Sequence, residues 1–275
     1  MANFVVQFHC VEAAQTDRGM SGVPRNKRRR LNTLRRELEN VNTRVVGRQM
    51  ICFLTGAGGT GKSKVIVAVI EYGKCFCREL GVEFTRRTIV VTALTACAAV
   101  PIGGETTHSA CGLFRDNFDT EKDQWKRAYL LIVDEVSFAS RHTLTVLNEK
   151  LRAVLNPRQR YGGISIVFAG DFSQLPPVGA KPLFCYKDFD LWYDWVNCYL
   201  ELTWNHRFSK DPYFGEILQR IRMTGPLDAD VALLNERVLG SRGGPLEEDI
   251  PDDVVYAVKT NFDRNAINDA VLLSI

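Results

Sequence analysis

The stretch FLTGAGGTGKSKVI, Phe53 to Ile66, sets four glycines within six positions directly against a lysine and a serine, between two apolar runs. So much bare backbone weakens a helix or a strand, so something other than packing must call for it. The order is G-x-x-x-x-G-K-S, filled by Gly56, Ala57, Gly58, Gly59, Thr60, Gly61, Lys62 and Ser63. Glycines let the chain wrap until successive N–H groups point inward, and a helix starting immediately afterwards adds the positive end of its dipole. That concavity suits a phosphate. Lys62 then reaches the β and γ phosphates of a nucleoside triphosphate, and Ser63 offers a hydroxyl to Mg²⁺.

A site of this kind needs a carboxylate at the end of a nearby strand to hold the metal. YLLIVDE supplies one: Asp134 follows four apolar residues and would bind Mg²⁺ through water or the Ser63 shell. Glu135, next to it, can orient or deprotonate an attacking water. A nucleotide-binding switch or a small-molecule kinase manages with the aspartate alone, so the glutamate favours hydrolysis. The run FAGDFSQLPPV, Phe168 to Val178, displays an acid and an amide where ligands bind in open α/β sheets. Gln174 can hydrogen-bond a γ-phosphate or the water and lose that bond when phosphate leaves, and Pro176 and Pro177 stiffen the segment beyond it.

The surrounding pattern alternates short apolar runs (MICFLT, TIVVTA, YLLIVDE, GISIVFAG) with helical stretches at Lys62 to Leu80 and Ser140 to Leu155. This predicts α/β architecture with a doubly wound, mainly parallel sheet, because runs apolar at consecutive positions suit strands covered on both faces. A chain of 275 residues with 45% hydrophobic content can build such a core. Gly112 to Lys126 reads as an excursion from the sheet, and Gly240 to Asp253 as a linker. A strand, VVYAV, and a helix, Asp263 to Leu273, come after it; they read as the opening of a second, incomplete domain.

No run of eighteen apolar residues is present, and the N-terminal stretch lacks a signal peptide's continuous apolar core, so a soluble, intracellular protein is expected, with no membrane partner. The eight cysteines show no paired CxxC spacing and read as free thiols in a reducing compartment. Between Arg18 and Arg36 lie eight basic residues and no acidic one, so a weakly positive whole hides a net acidic remainder. Its densest part, Pro24 to Arg30, reads as a nuclear address, a phosphate-binding arm or a solvated tail.

Taken in order, GAGGTGKS, TALTACAA followed by TTHS, VDEVS and GDFSQLPPV resemble the motifs of the Pif family of helicases, the RecD-like branch of superfamily one. LTWNHRFSKDPYFGEILQRIRMTG is similar to that family's next element, whose γ-phosphate arginine falls here on Arg207. The resemblance implies a P-loop NTPase with a RecA-like sheet: a basic extension over residues 1–44, a first RecA-like domain over 45–239 and the linker and start of a second over 240–275. It implies ATP and Mg²⁺ as cofactors, with translocation 5′ to 3′ on single-stranded DNA and unwinding of forked duplex, in repair, recombination or genome maintenance.

Matching positions put Thr92, Thr95 and His108 on the DNA track; small polar residues after a strand can hold a backbone phosphate, although a lone histidine also suits a core. Residues 112–128 fall where the family inserts a small wedge domain, in which Trp125 or Phe114 would meet bases or fill core. Two departures stand out. The family's upstream adenine-reading glutamine is replaced by glutamates at that distance, and Gln49 lies too close to the loop. The chain also ends before the later motifs, so the resemblance implies a fragment. Two alternatives to a helicase motor are a remnant that binds nucleotide or DNA without unwinding, and another P-loop NTPase or kinase, in which Gln174 and Arg207 have no natural place. The implied location is the nucleus, with the mitochondrion as the alternative.

Overall fold

The computed structural model describes residues 49–113, 125–239 and 254–274. The basic extension, Phe114 with most of the expected wedge, and the linker at 240–253 lie outside the described residues. Two compact units divide between Lys210 and Asp211, earlier than the boundary drawn from the sequence.

Among the described residues the first unit is built on six strands: β1 (Ile51–Gly56), β2 (Ile89–Ala93), β3 (Glu105–Thr106), β4 (Leu130–Asp134), β5 (Ser165–Gly170) and β6 (Cys198–Leu202). They lie in the order β3-β2-β4-β5-β1-β6, and every pair is parallel. Two separate hydrophobic clusters show why the apolar runs are continuous. Ile51, Phe53, Leu131, Val133, Ile166 and Phe168 enter one cluster. Leu54, Ile132, Leu130, Ala93 and Ala169 enter the other. Successive side chains of a strand point to opposite faces, so a run that is apolar at every position fills two cores at once.

Each face is covered by a helix. Helix α1 (Lys62–Leu80) places Ile66 in the second cluster, and α2 (Arg141–Val154) places Leu144, Leu147 and Leu151 in the first. Those three leucines are at most 1% exposed, each worth about 1.5–3 kcal/mol of apolar burial. The ends of α1 coincide with expectation because glycines mark both: Gly61 and Gly81 have φ of 95° and 66°, and the Gly81 N–H closes on the Arg78 carbonyl. Ser140 caps α2 by accepting the Thr143 N–H at 3.1 Å. Trp125, 1% exposed, belongs to the first cluster, so of its two expected roles the structure selects core. All seven cysteines among the described residues are free thiols; Cys77 is buried and Cys75 half-buried, as neighbours on a helix that face different ways.

In the second unit, α3 (Pro212–Met223) and α4 (Asp228–Asn235) are clamped by a bidentate ion pair, Arg220 to Asp230, at 2.9 and 2.6 Å. That pair, with the Leu227 N–H, holds the Asp230 carboxyl down at about 2. Helix α5 (Asn261–Ser274) begins two residues before the expected Asp263, with the Thr260 hydroxyl accepting the Asp263 N–H at 3.1 Å. The strand expected at VVYAV is a correction: residues 254–258 are not in a ladder, and Val255 is 93% exposed. A strand needs a neighbour for its N–H and C=O groups, and apolar composition does not provide one.

Candidate nucleotide site

All six strands run parallel, so their carboxyl ends share one edge, and the loop after β1 sits there. Gly56 and Gly59 have φ of 149° and 90°, conformations that a side-chain-bearing residue rarely adopts. Thr60 closes the turn by donating its hydroxyl to the Ala57 carbonyl at 2.9 Å. Lys62 is 9% exposed, and its Nζ donates to the carbonyls of Gly56 at 2.7 Å and Ala57 at 3.3 Å, so the ammonium lies inside the curl. Ser63 stands exposed in the first turn of α1.

The two carboxylates close β4. Asp134 is 4% exposed, and its Oδ1 accepts the N–H of Glu135 at 2.9 Å. Burial raises the Asp134 carboxyl above the ordinary range, with that N–H and Lys62 pulling the other way. Glu135 occupies the left-handed region at φ 57°, uncommon for a residue with a side chain. Its Oε2 is buried with no hydrogen-bond partner among the described residues. Burial first, then the charges of Asp134 and Asp171, raise its carboxyl, and Lys62 opposes them. A carboxylate short of partners is a proton acceptor in waiting.

Gln174 and Arg207 meet at the loop. A Cβ built on Gly58 would lie 3.3 Å from Arg207 Nη1 and 3.7 Å from Gln174 Nε2. Residues far apart in the chain thus converge on one glycine, and a side chain there would fill the space they share. The structure therefore brings together the loop, Lys62, Asp134, Glu135, Gln174 and Arg207, all singled out from sequence.

Two supports were not. Asp171, 2% exposed, accepts the Ser173 N–H at 3.0 Å and the Gln174 side-chain amide at 3.3 Å, fixing the turn that presents Gln174. Asn205 bonds both to the loop and to Arg207. The acid of GDFSQ was visible but without a task, and Asn205 looked like an ordinary polar residue beside a strand. Gln49 is accounted for otherwise: its amide donates to the carbonyls of Arg160 and Ile164, both at 2.7 Å, tying the chain together before β1 and β5 at the opposite edge of the sheet.

The candidate DNA residues separate. Thr92 is fully buried; its hydroxyl donates to the Ile132 carbonyl at 2.8 Å and accepts from Thr107 at 3.0 Å. The expected DNA contact is corrected here, since a side chain sealed between strands meets no phosphate. Thr95, half-buried, caps the short helical turn at Ala96–Ala99 by accepting the Ala98 N–H at 3.3 Å. His108 lies half-buried in the turn Thr107–Ala110, just after β3.

A glycine loop, a buried lysine, a carboxylate pair closing β4 and the convergence of Gln174 and Arg207 on the loop, all on one parallel sheet, define a P-loop nucleotide-binding protein. Residues 33–215 match the model of the PIF1-like helicase family, and the chain belongs to that family. It is 32% identical over 213 residues to the ATP-dependent DNA helicase RRM3 of Saccharomyces cerevisiae, covering 71% of this chain and 28% of the relative. Among solved structures, the Pif1 helicase of Candida albicans is 26% identical with a TM-score of 0.64, covering 87% of this chain and 54% of that one. Another, described as showing DNA unwinding at forked dsDNA by two coordinating Pif1 helicases, is 25% identical with a TM-score of 0.53, covering 75% and 50%. The chain thus spans little more than a quarter of the RRM3 length and about half of the solved chains.

Proposed function

We propose that the chain belongs to a motor that binds ATP with a magnesium ion, hydrolyses it, and couples the cycle to 5′ to 3′ movement on single-stranded DNA and separation of forked duplex, in repair, recombination or genome maintenance, this chain supplying the ATP-binding and hydrolysing residues. The observation that carries the reading is the convergence of Gln174 and Arg207 on Gly58, beside Lys62 and the Asp134–Glu135 pair. Groups gathered at the γ side of a phosphate loop have a task when the last phosphate is cleaved and little otherwise. The names of the relatives supply the coupling to DNA.

Magnesium fits the donor set. Ser63 and Asp134 contribute one hydroxyl and one carboxylate, and among the described residues no group of three or more His, Cys, Asp or Glu could hold an ion alone. An ion that keeps its waters and leans on phosphate oxygens suits so sparse a set. When bound, it neutralises charge on the phosphates. The protein's residues do the remainder. Lys62 leaves the loop carbonyls for the phosphates, Glu135 accepts the proton of the attacking water, Gln174 orients that water or the γ-phosphate, and Arg207 offsets the charge that develops there. Thr95 and His108 are the proposed DNA contacts, with Thr92 holding the strand beneath them.

DNA-stimulated ATP hydrolysis by the purified chain tests this. Glu135→Gln should keep nucleotide binding and slow turnover by about 10²–10⁴, the usual worth of a general base. Equal turnover in the two proteins would overturn the assignment. We also propose Pro24 to Arg30 as a nuclear address, which a fused reporter that stays cytoplasmic would refute.

A further inference from the structure

We infer that Asn205 is the positioning residue that fastens the phosphate loop and Arg207 into one unit, and so sets the site's preference for a triphosphate over a diphosphate; this rests on reading the site as an ATP site. Asn205 leaves the sheet three positions after β6. Its Nδ2 donates to the Gly58 carbonyl at 3.1 Å, and its Oδ1 accepts the Arg207 N–H at 3.0 Å. The next residue repeats the attachment, the His206 N–H donating to the Gly59 carbonyl at 3.0 Å. The segment lies directly on the glycine backbone: a Cβ on Gly59 would stand 2.9 Å from Asn205 Oδ1 and 2.4 Å from Arg207 Cβ.

Peptide planarity turns these contacts into a statement about phosphate. In a trans peptide the C=O and the following N–H point in opposite directions. Holding the Gly58 carbonyl toward Asn205 therefore turns the Gly59 N–H away from Asn205, toward the other side of the loop. Glycines carry no side chain that could impose this orientation, so the partner across the site has to. The same amide fixes where Arg207 leaves its own loop.

An ordinary explanation is an Asx turn, in which asparagine accepts the N–H two residues on. That turn uses the Oδ1 alone. It does not call for the Nδ2 bond to a residue 147 positions away. Both bonds together need a donor and an acceptor on one short side chain. Aspartate would offer an oxygen to the Gly58 carbonyl instead of an N–H, and an aliphatic residue would offer nothing.

The test measures affinity of the full chain for Mg·ATPγS and Mg·ADP, with melting temperature alongside. Asn205→Ala should weaken ATPγS binding about tenfold and ADP binding by less than about threefold, because Arg207 acts on the γ-phosphate. Combined with Arg207→Ala it should cost no more than Arg207→Ala alone, since two residues acting as one unit are non-additive. A merely structural role would lower the melting temperature and leave the ATPγS to ADP ratio unchanged. That result, or losses that simply multiply, overturns the inference. Should Asn205→Ala fail to fold, Asn205→Asp keeps the acceptor for Arg207 and removes the donor to Gly58; an unchanged ATPγS to ADP ratio there is equally fatal. If Lys62→Ala and Arg207→Ala also leave ATPγS binding intact, the ATP-site reading itself falls. If those two weaken it and Asn205→Ala does not, only the role of Asn205 falls.

Discussion

β2 and β4 are neighbours paired in register from Ile89 with Leu130 to Ala93 with Asp134, yet their ends do opposite things. At the end of β4, Asp134 and Glu135 are carboxyls that burial pushes above their usual range, and Glu135 keeps one buried oxygen without a partner among the described residues. Near the end of β2, Thr92 is buried as Asp134 is, but its hydroxyl both donates and accepts. Both ends carry buried polar atoms; satisfaction is not shared. A polar group left short of partners at a strand end is poised to take a proton or a ligand, whereas a satisfied one holds the scaffold.

The strongest challenge to this contrast is kinetic. Glu135→Gln should reduce ATP turnover by about 10²–10⁴, whereas Thr92→Val, in the neighbouring strand, should change it by less than about tenfold in a folded protein. Comparable losses from both would mean that burial, not partner shortage, marks the reactive end. Next in size is binding. Lys62→Ala should weaken Mg·ATP by about tenfold or more, because a charge-assisted contact is worth about 1.5–3 kcal/mol, and calorimetric titration reads this directly.

Stability and DNA binding probe the two strand ends from the β2 side. Thr92→Val should destabilise by about 1–3 kcal/mol in denaturant melts, since the buried Thr107 hydroxyl loses its acceptor. It should leave affinity for single-stranded oligonucleotide unchanged per folded molecule. His108→Ala, by contrast, should lower that affinity by about 1 kcal/mol or more if its ring meets a base. A reversed pair of results would return Thr92 to the DNA surface.

The smallest effect is a pH dependence. A carboxyl whose folded value lies above its unfolded one binds its proton more tightly in the folded state, so its contribution is full below the unfolded value and lost as pH rises through the folded one. Glu135 behaves this way. Glu135→Gln should therefore melt higher than the parent at pH 7, and the gap should close as pH falls through the ordinary carboxylate range. The Asp230 carboxyl has the opposite sign: held down at about 2 by Arg220, it supports α3 and α4 above its usual 3.8 and loses that support as pH falls toward 2. A Glu135→Gln protein that melts lower at pH 7 would show that its charge is compensated after all.

Much of this was legible from short stretches. The glycine loop, α1 with its glycine ends, and β1, β2, β4 and β5 all appear in the sequence because each is a local pattern, either two-sided apolar runs or a capped helix. β6 did not appear, because an edge strand is covered on one side and Tyr199 and Leu200 remain 57% and 40% exposed. β3, with two residues, is too short to show a period. The opposite error came at VVYAV, where a strand-like composition finds no pairing.

Residue order alone settles which chemical groups the site can contain, since bare glycine backbone, a lysine after the last glycine and acids closing an apolar run are written residue by residue. Which of those groups face the phosphate and which face inward depends on the packed sheet. Thr92 and Asn205 are both polar residues near the ends of strands, and nothing local distinguishes them. Pairing of β2 with β4 and with β3 seals the first against Ile132 and Thr107, and pairing of β6 with β1 lays the second across Gly58. Those partners lie 15 to 147 positions away, so the role of each side chain comes from contacts that exist only once the sheet has formed.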